Sequence, residues 1–579
     1  MRELLDAMHD PDINAPRFGQ IDFTEAIFTG DASFHKAVFT KDASFAKVLS
    51  SGDMIFSWAT FHGIANFDEA RMNSTRFASV TFSQDARFRG ANIRDAWFFG
   101  SNFSSGAEFG EMTCEVASFG RVTFSKRAQF DHTTYRGDAM FHEVKFLDSC
   151  EFTDAKFGAE AYFGRTLFNH YAHFSDATFS GPALFGGAIF NRGARFDGVK
   201  FHGTQTFGPL ACLGTLDLTM AVFNGPTIIE AAAAHMSCER TEWQATGALR
   251  ILHTELDLTN ATFTQPYSIS SPQGPFSYRR RVSLPSEREF ILDDSSISWQ
   301  RETSSVTSLR GVDCSMLSIS DIDLSLCRFS GALNLDLLRL EGRCTLQSPP
   351  EGRIHPLFPP QWARRQVIEE ERQWRALPTH PTLLRAGWGA PPQNSHDVPG
   401  LATLTVIYRQ LRKAREDSKD EPGAADFYYG EMEMRRHSKE WGTAERWLLQ
   451  AYWFLSGYGL RASRALGWLA LAMITTILLM MGFGLPQDSP KQSATGTVPL
   501  GGGRVTFEID KEDPRNPTGD RFTGERLDKA LSVTLNSVVF RSSGQDLTTA
   551  GGYIEMASRF SEPILLGLAA LAIRGRVKR

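Results

Sequence analysis

From Phe23 onward a large apolar side chain recurs every fifth or sixth residue: Phe23, Phe28, Phe34, Phe39 and Phe45, then Phe56, Phe61, Phe67, Phe77, Phe82 and Phe88. Between Phe141 and Phe207 the steps alternate strictly between five and six. A small residue precedes most of these aromatics by two positions, as Ala26, Ala32, Ala37 and Ala43 do. Neither a helix of period 3.6 nor a long strand of period 2 produces this spacing, whereas a chain that bends after each short strand does. Alternate strand side chains share a face, so residues i and i−2 of each unit point inward and turns take the other positions. The same repeat accounts for 45 Phe against 11 Tyr and 11 Trp.

Units such as FTEAIF and FSDATF resemble the pentapeptide-repeat family, whose pattern places a small residue at i−2 and Leu or Phe at i. The resemblance implies a right-handed quadrilateral β-helix with four units per coil, 22 residues by the strict alternation. Residues 21–223 form its regular part, about nine coils and on the order of 40 Å long at roughly 4.8 Å per layer, behind an N-terminal cap at 1–20. Met72, Ile93, Cys114 and Tyr135 stand where Phe is due, and Ser50, beside Leu49, is the exception. After Phe223 the pattern becomes ragged, returning in LDLTNATF (Leu256–Phe263) and through Leu309, Cys314, Ile319, Leu324 and Phe329. Residues 224–348 therefore read as an interrupted continuation, with loops such as the Ser- and Pro-rich stretch 265–290.

Some proteins of that family imitate duplex DNA with acidic faces. Here residues 1–210 carry 25 acidic and 20 basic side chains, too even a balance for phosphate mimicry. The whole chain, at a net charge of −5, lacks the basic excess of a nucleic-acid binder. Nucleic acid is not expected as a partner. The seven cysteines have no CxxC spacing and read as buried free thiols. His142, His170 and His173 read as exposed turn residues rather than metal ligands. The opening MRELLDAMHDP contains no apolar run that would export it. GGGR at Gly501–Arg504 lacks the Lys-Ser/Thr of a P-loop, and no GxSxG, HExxH or strand-borne GxGxxG occurs. No catalytic residue, cofactor or metal is expected, and the chain does not read as an enzyme.

A helical stalk is expected over 349–460. Pro360–Leu377 reads as one helix, with Trp362, Val367 and Trp374 available for packing and Glu369, Glu370 and Glu371 on a solvated face flanked by arginines. Leu401–Asp417 and Glu421–Trp441 resemble a tetratricopeptide-type hairpin, with Ala424 and Ala425 against Tyr408 and Leu411. Ala444–Gly459 is aromatic and amphipathic, suited to the headgroup level of a membrane.

Ala465–Leu485 is 21 residues without a charge, enough to span about 30 Å of hydrocarbon. Arg435, Arg436, Lys439, Arg461 and Arg464 precede it and few basic residues follow, which places the N-terminal side, solenoid included, in the cytosol. The polar segment Pro486–Gly524 then lies outside. Ala530–Phe540, 11 residues, is too short to cross and suits a re-entrant helix. A second span, Tyr553–Ile573, holds Glu555, Arg559 and Glu562 in its first half and is followed by Arg574, Arg576, Lys578 and Arg579, so both termini are cytoplasmic. This order, over 461–579, resembles the two-helix pore module of the bacterial ion-channel superfamily. In that family a TVGYG-like filter follows the re-entrant helix, and the aligned stretch here is RSSGQDL (Arg541–Leu547). Only Gly544 and Asp546 echo it, and Arg541 would repel a cation. The resemblance implies a narrow passage lined by Ser542, Ser543, Gly544, Gln545 and Asp546, with Glu555 and Arg559 near its mouth.

The chain thus reads as a mixed fold: a β-solenoid, an α-helical stalk and a two-span transmembrane hairpin with a re-entrant helix. Two functions follow. One is a plasma-membrane-tethered scaffold that presents a cytosolic solenoid to an unidentified protein partner. The other is an oligomeric channel, a homotetramer supplying eight spans, with the solenoid as cytosolic sensor.

Overall fold

The computed structural model describes residues 8–577 apart from 11–14, 279–289, 292–301, 351–363, 380–386, 393, 395–396, 489–490, 497–500, 502–504, 506, 540–541 and 543. The chain divides into two compact units, residues 1–420 and 421–579.

The first unit is a β-solenoid of about 14 turns. Most of its strands are two residues long and pair in parallel with the strands one coil before and after, so that Phe39 lies over Phe18 and under Phe61. Four columns of inward side chains result. One runs Phe18, Phe39, Phe61, Phe82, Phe103, Phe124, Phe146, Phe168 and Phe190, with successive ring centroids 4.3–5.2 Å apart. A second runs from Phe45 through Phe67, Phe88, Phe109, Phe130, Phe152 and Phe174 to Phe196, its rings parallel within 6°. A third, from Phe34 to Phe185, meets the second edge-on, as Phe45 meets Phe56 at 84° and Phe152 meets Phe163 at 88°. Stacking along a column and edge-to-face contact across the interior are both favourable aromatic geometries, and the strand spacing imposes the first. The fourth column is the mixed one: Phe28, Ser50, Met72, Ile93, Cys114, Tyr135 and Phe157 succeed one another. Leu49, beside Ser50, faces outward and is exposed.

Two of the four corners are turns whose third residue is left-handed. After Phe23 the chain turns through Glu25 (φ 61°), closing with Ala26 N–H on the Phe23 carbonyl, and Phe34 is followed alike by Lys36 (φ 60°). Gly90, Gly100, Gly187 and Gly198 fill some of these places, but most carry a side chain, a strain of roughly 1 kcal/mol or more each that the pairing of both flanking strands offsets.

The coil is not uniformly 22 residues. Phe61 to Phe82 and Phe82 to Phe103 are steps of 21, Phe146 to Phe168 of 22, and Phe223 to Trp243 to Phe263 of 20. A five-residue unit replaces a six in the steps of 21, with the column register kept. Beyond Phe223 the columns continue in other residues: Leu218, Cys238, Leu258, Leu309 and Phe329 are all buried successors of Phe196. The raggedness there is a change of residue type, with Gln205–Asp217 and Thr227–Ser237 forming longer strands. The interruption lies after Ser270, since Tyr267–Ser270 is itself a strand paired with Leu317–Ser320 and the next coil resumes at Ser305. The loop expected from residue 265 therefore begins later.

Both ends of the solenoid are covered, as exposed strand edges require. At the start His9–Asp10 pairs antiparallel with Ala15–Pro16. At the far end Val367 bridges Gln347, helix α1 (Glu369–Arg375) follows, and α2 (Leu401–Asp417) packs on Leu335–Leu337 with Lys413 Nζ 2.7 Å from Asp336 Oδ2. Helix α1 is much shorter than expected because residues 364–368 are extended; Trp362 lies outside the described residues. The three glutamates are buried, contrary to the solvated face expected. Glu371 accepts from both Arg365 and Arg375 and from Tyr408 Oη, all at 2.5–2.6 Å. Glu370 Oε1 accepts from the N–H groups of Phe329 (2.5 Å) and Ser330 (2.7 Å), the open edge of the last turn.

The second unit contains α3 (Glu421–Ser438), α4 (Ala444–Ser456), α5 (Ala462–Leu479, continued by a π-turn to Gly484), α6 (Gly524–Val538) and α7 (Thr549–Val577). Among the described residues the chain thus has seven α-helices. A short antiparallel pair, Gln492–Gly496 with Phe507–Lys511, rises from the polar segment between α5 and α6. Two stretches, Ala462–Gly484 and Thr549–Arg574, are long and apolar enough to cross a membrane. Helix α6, expected from Ala530, begins earlier, at Gly524.

Candidate functional site

The solenoid's outer surface is set by the strand residues that precede the column positions and by the corner residues that follow them. Charges there pair from coil to coil: Arg89 with Glu111 (2.8 Å), Arg121 with Glu143 (2.9 Å), Glu143 with Arg165 (3.5 Å) and Arg250 with Glu230 (2.8 Å). These exposed pairs add little stability, but they leave no single-sign field. One face differs. Ile55, Arg76, Trp97, Ser118, Met140, Tyr162 and Leu184 follow one another on successive coils, and Phe99 and Trp58 stand exposed at the adjoining corner. Glycines let rings lie flat there: a Cβ on Gly164 would meet the Tyr162 ring at 2.6 Å, and one on Gly120 would meet His142 at 2.5 Å. His142 is consequently half-buried, stacked on Tyr162 at 5.8 Å, and His170 and His173 are also half-buried rather than exposed. Arg121 lies over Phe99 at 5.7 Å. Among the described residues no group of His, Cys, Asp and Glu could hold a metal ion. All seven cysteines are free and buried, and burial pushes the Cys212 thiol up to about 12.

The second unit packs an apolar cluster of Met480, Met481, Leu485, Ala530 and Val533 beside buried polar side chains. In the first half of α7 the buried stripe is polar: Ser558 and Glu562 are buried, Glu555 pairs with Arg559 at 3.1 Å, and Thr476 Oγ1 of α5 donates to Glu562 Oε1 at 2.8 Å, while further along Leu565, Ala569 and Ala572 are buried. Ser558 Oγ meets Ser537 Oγ of α6 at 2.9 Å. The outward stripes are apolar, with Tyr553, Met556, Phe560 and Ile564 on α7 and Leu527, Leu531, Leu535 and Val539 along and just beyond α6 all exposed. Helices α5 and α7 cross at glycine. A Cβ on Gly551 would lie 2.3 Å from the Gly484 carbonyl oxygen, so the backbones meet directly, as small residues at a helix crossing allow. Thr548 Oγ1 donates to the Phe483 carbonyl at 2.7 Å, and Arg526 donates to the carbonyls of Met481, Leu485 and Pro486 at 2.8–2.9 Å. The carbonyls freed by the π-turn are thereby satisfied.

The expected passage residues fall into two groups. Ser542, Gly544 and Gln545 are exposed in the connection between α6 and α7, and Asp546 pairs with Lys511 of the short strand pair. Glu555 and Arg559 pair within α7 instead. Ser543 and Arg541 lie outside the described residues. Sequence reasoning passed over Gly484, Thr476, Arg526 and Gly551; the MGFG text ending the first span was the available signal for the close crossing.

A family model described as pentapeptide repeats (9 copies) matches residues 23–71, 56–102 and 163–208. These residues carry pentapeptide repeats of the Phe-rich kind. The columns extend past the last matched residue in Leu, Cys, Trp and Ile, while the coil shortens from 22 to 20 residues. Comparison with curated proteins and with solved structures returns no match.

Proposed function

We propose that the chain is a membrane-tethered scaffold whose cytosolic pentapeptide-repeat solenoid is presented to a protein partner. The observation that carries the tether is the outward apolar stripe of α6 and α7, made of Leu, Phe, Met and Ile, over an interior that takes in Thr534, Ser537, Ser558 and Glu562 beside Ala530, Val533, Leu565 and Ala569. In water that arrangement would leave a large apolar surface uncovered; in lipid it is the expected one, since buried polar groups pair with one another. The basic residues ahead of α5 favour a cytosolic solenoid. The face bearing Trp97, Met140, Tyr162 and Leu184 is the place on the solenoid best suited to an apolar contact with a partner.

Flotation of the full chain on a density gradient with liposomes tests the tether. Recovery with the lipid, resistant to high salt and alkaline washing, is expected; sedimentation free of lipid would refute it. For the partner, a photo-reactive residue at Tyr162 should give a discrete cross-linked product in membranes from the source cell, and the same probe at Lys156, on another face, should not.

A further inference from the structure

We propose that the exposed face of α4 and the basic side chains around it form a binding site for anionic phospholipid headgroups. This rests on the tether reading. Helix α4 turns Trp447 (61% exposed), Leu448 (72%) and Phe454 (48%) outward, with Trp441 (64%) just before it. Such side chains are apolar or amphipathic bodies that settle at the boundary between headgroups and acyl chains.

From Arg435 to Arg464 the chain has six basic residues, Arg435, Arg436, Lys439, Arg446, Arg461 and Arg464, against two acidic ones, Glu440 and Glu445. Glu445 serves two cations at once, Arg435 at 2.7 Å and Lys439 at 2.8 Å, of which Arg435 is exposed and Lys439 half-buried. One carboxylate cannot neutralise two charges, so this corner stays positive. The other guanidiniums are held in place: Arg436 is buried and paired with Glu433 at 2.7 Å, and so adds no charge to the surface. Arg464 donates to the Trp453 carbonyl at 2.9 Å and lies over the Trp453 ring at 5.4 Å, while Arg436 lies over the same ring at 4.6 Å. Arg446 stacks on Trp441 at 4.4 Å.

The position of this collar selects lipid over an acidic protein. Helix α4 ends at Gly457 in a left-handed turn (φ 55°), and α5, the first apolar span, begins at Ala462. Phe454 and Trp468 lock the two together, with ring centroids 4.6 Å apart and Trp468 Nε1 donating to the Phe454 carbonyl at 3.2 Å. A basic aromatic surface fixed to the mouth of a span lies at headgroup depth, where phosphate-bearing lipids are the anions at hand.

The test is tryptophan fluorescence of the full-length protein in liposomes whose acyl chains carry bromine, on phosphatidylglycerol or on phosphatidylcholine at equal mole fraction. Quenching by the brominated phosphatidylglycerol is expected to be at least twofold stronger at low salt and to approach that of phosphatidylcholine at 1 M salt, as screening removes the attraction. The double variant Arg435→Gln, Lys439→Gln should lose most of the preference with unchanged helicity, and Trp447→Phe should lose part of the quenchable signal. Equal quenching by the two lipids at low salt overturns the site and leaves the tether standing. No quenching by either overturns both. Should the double variant misfold, the salt dependence of the unaltered protein decides.

Discussion

Phe174 shows what a single column residue does. Its ring lies between those of Phe152 and Phe196 at 4.9 and 4.7 Å, with Phe163 and Phe185 edge-on at 5.4 and 5.7 Å. Phe174→Ala would leave a cavity walled by rings that cannot move without breaking their own stacks, and should cost about 3–5 kcal/mol. Phe28, only half-buried in the first coil, should cost clearly less on the same change. Thermal melting of the two variants compares them, and equal losses would argue against a continuous column. Glu370 is a second case. Burial pushes its carboxyl up to about 7, against the backbone N–H groups that Oε1 accepts, and Oε2 has no hydrogen-bond partner among the described residues. A carboxyl raised on folding contributes stability that is full below the unfolded value near 4.5 and is lost as pH rises through about 7. Burial would also push Glu371 up, but Arg365 and Arg375 hold it at about 2, so its contribution is present above about 4.5 and lost as pH falls toward 2. Glu370→Gln keeps an acceptor for Phe329 and Ser330. It should flatten the stability profile between pH 5 and 8 and gain up to about 3 kcal/mol over the native chain at pH 8. These glutamates were misread from sequence because a run of charges beside arginines looks the same on a solvated helix and on one that is covered on every side.

Among the elements, the α5–α7 crossing depends on two backbones touching. Gly551→Leu should separate the helices and lower the melting temperature in detergent, whereas Gly552→Ala, with nothing within 4 Å of the added carbon, should leave it unchanged or slightly raised. Limited proteolysis of the polar segment checks this independently, with faster cleavage expected for Gly551→Leu alone. The long apolar helix was legible from sequence, Ala465–Leu485 against Ala462–Gly484, because an uncharged run needs no partner to be recognised. Leu401–Asp417 was legible to the residue. Helix α1 was not: a helical pattern over Pro360–Leu377 competes with the bridge from Val367 to Gln347, and only the solenoid's edge makes that bridge available.

For the molecule as a whole, deletion of residues 462–579 should release the remainder into the soluble fraction, and its persistence in washed membranes would contradict a tether confined to that region. The mass of the detergent-purified full chain by light scattering decides the channel reading: four copies are needed for eight spans, and a monomer or dimer excludes it. The repeat itself was readable in advance, since a five- or six-residue spacing of Phe has one economical solution, a coil whose strands stack in register. Where the coil ends, what covers its edges and which outer face is apolar were not, because each depends on residues far apart in the chain meeting across coils. The same holds for the two long apolar helices. Hydropathy marked two spans, but that α7 turns Glu562 inward to Thr476 and Phe560 outward follows only from how α5, α6 and α7 pack, since a helix carrying both kinds of residue has no inside until its neighbours provide one.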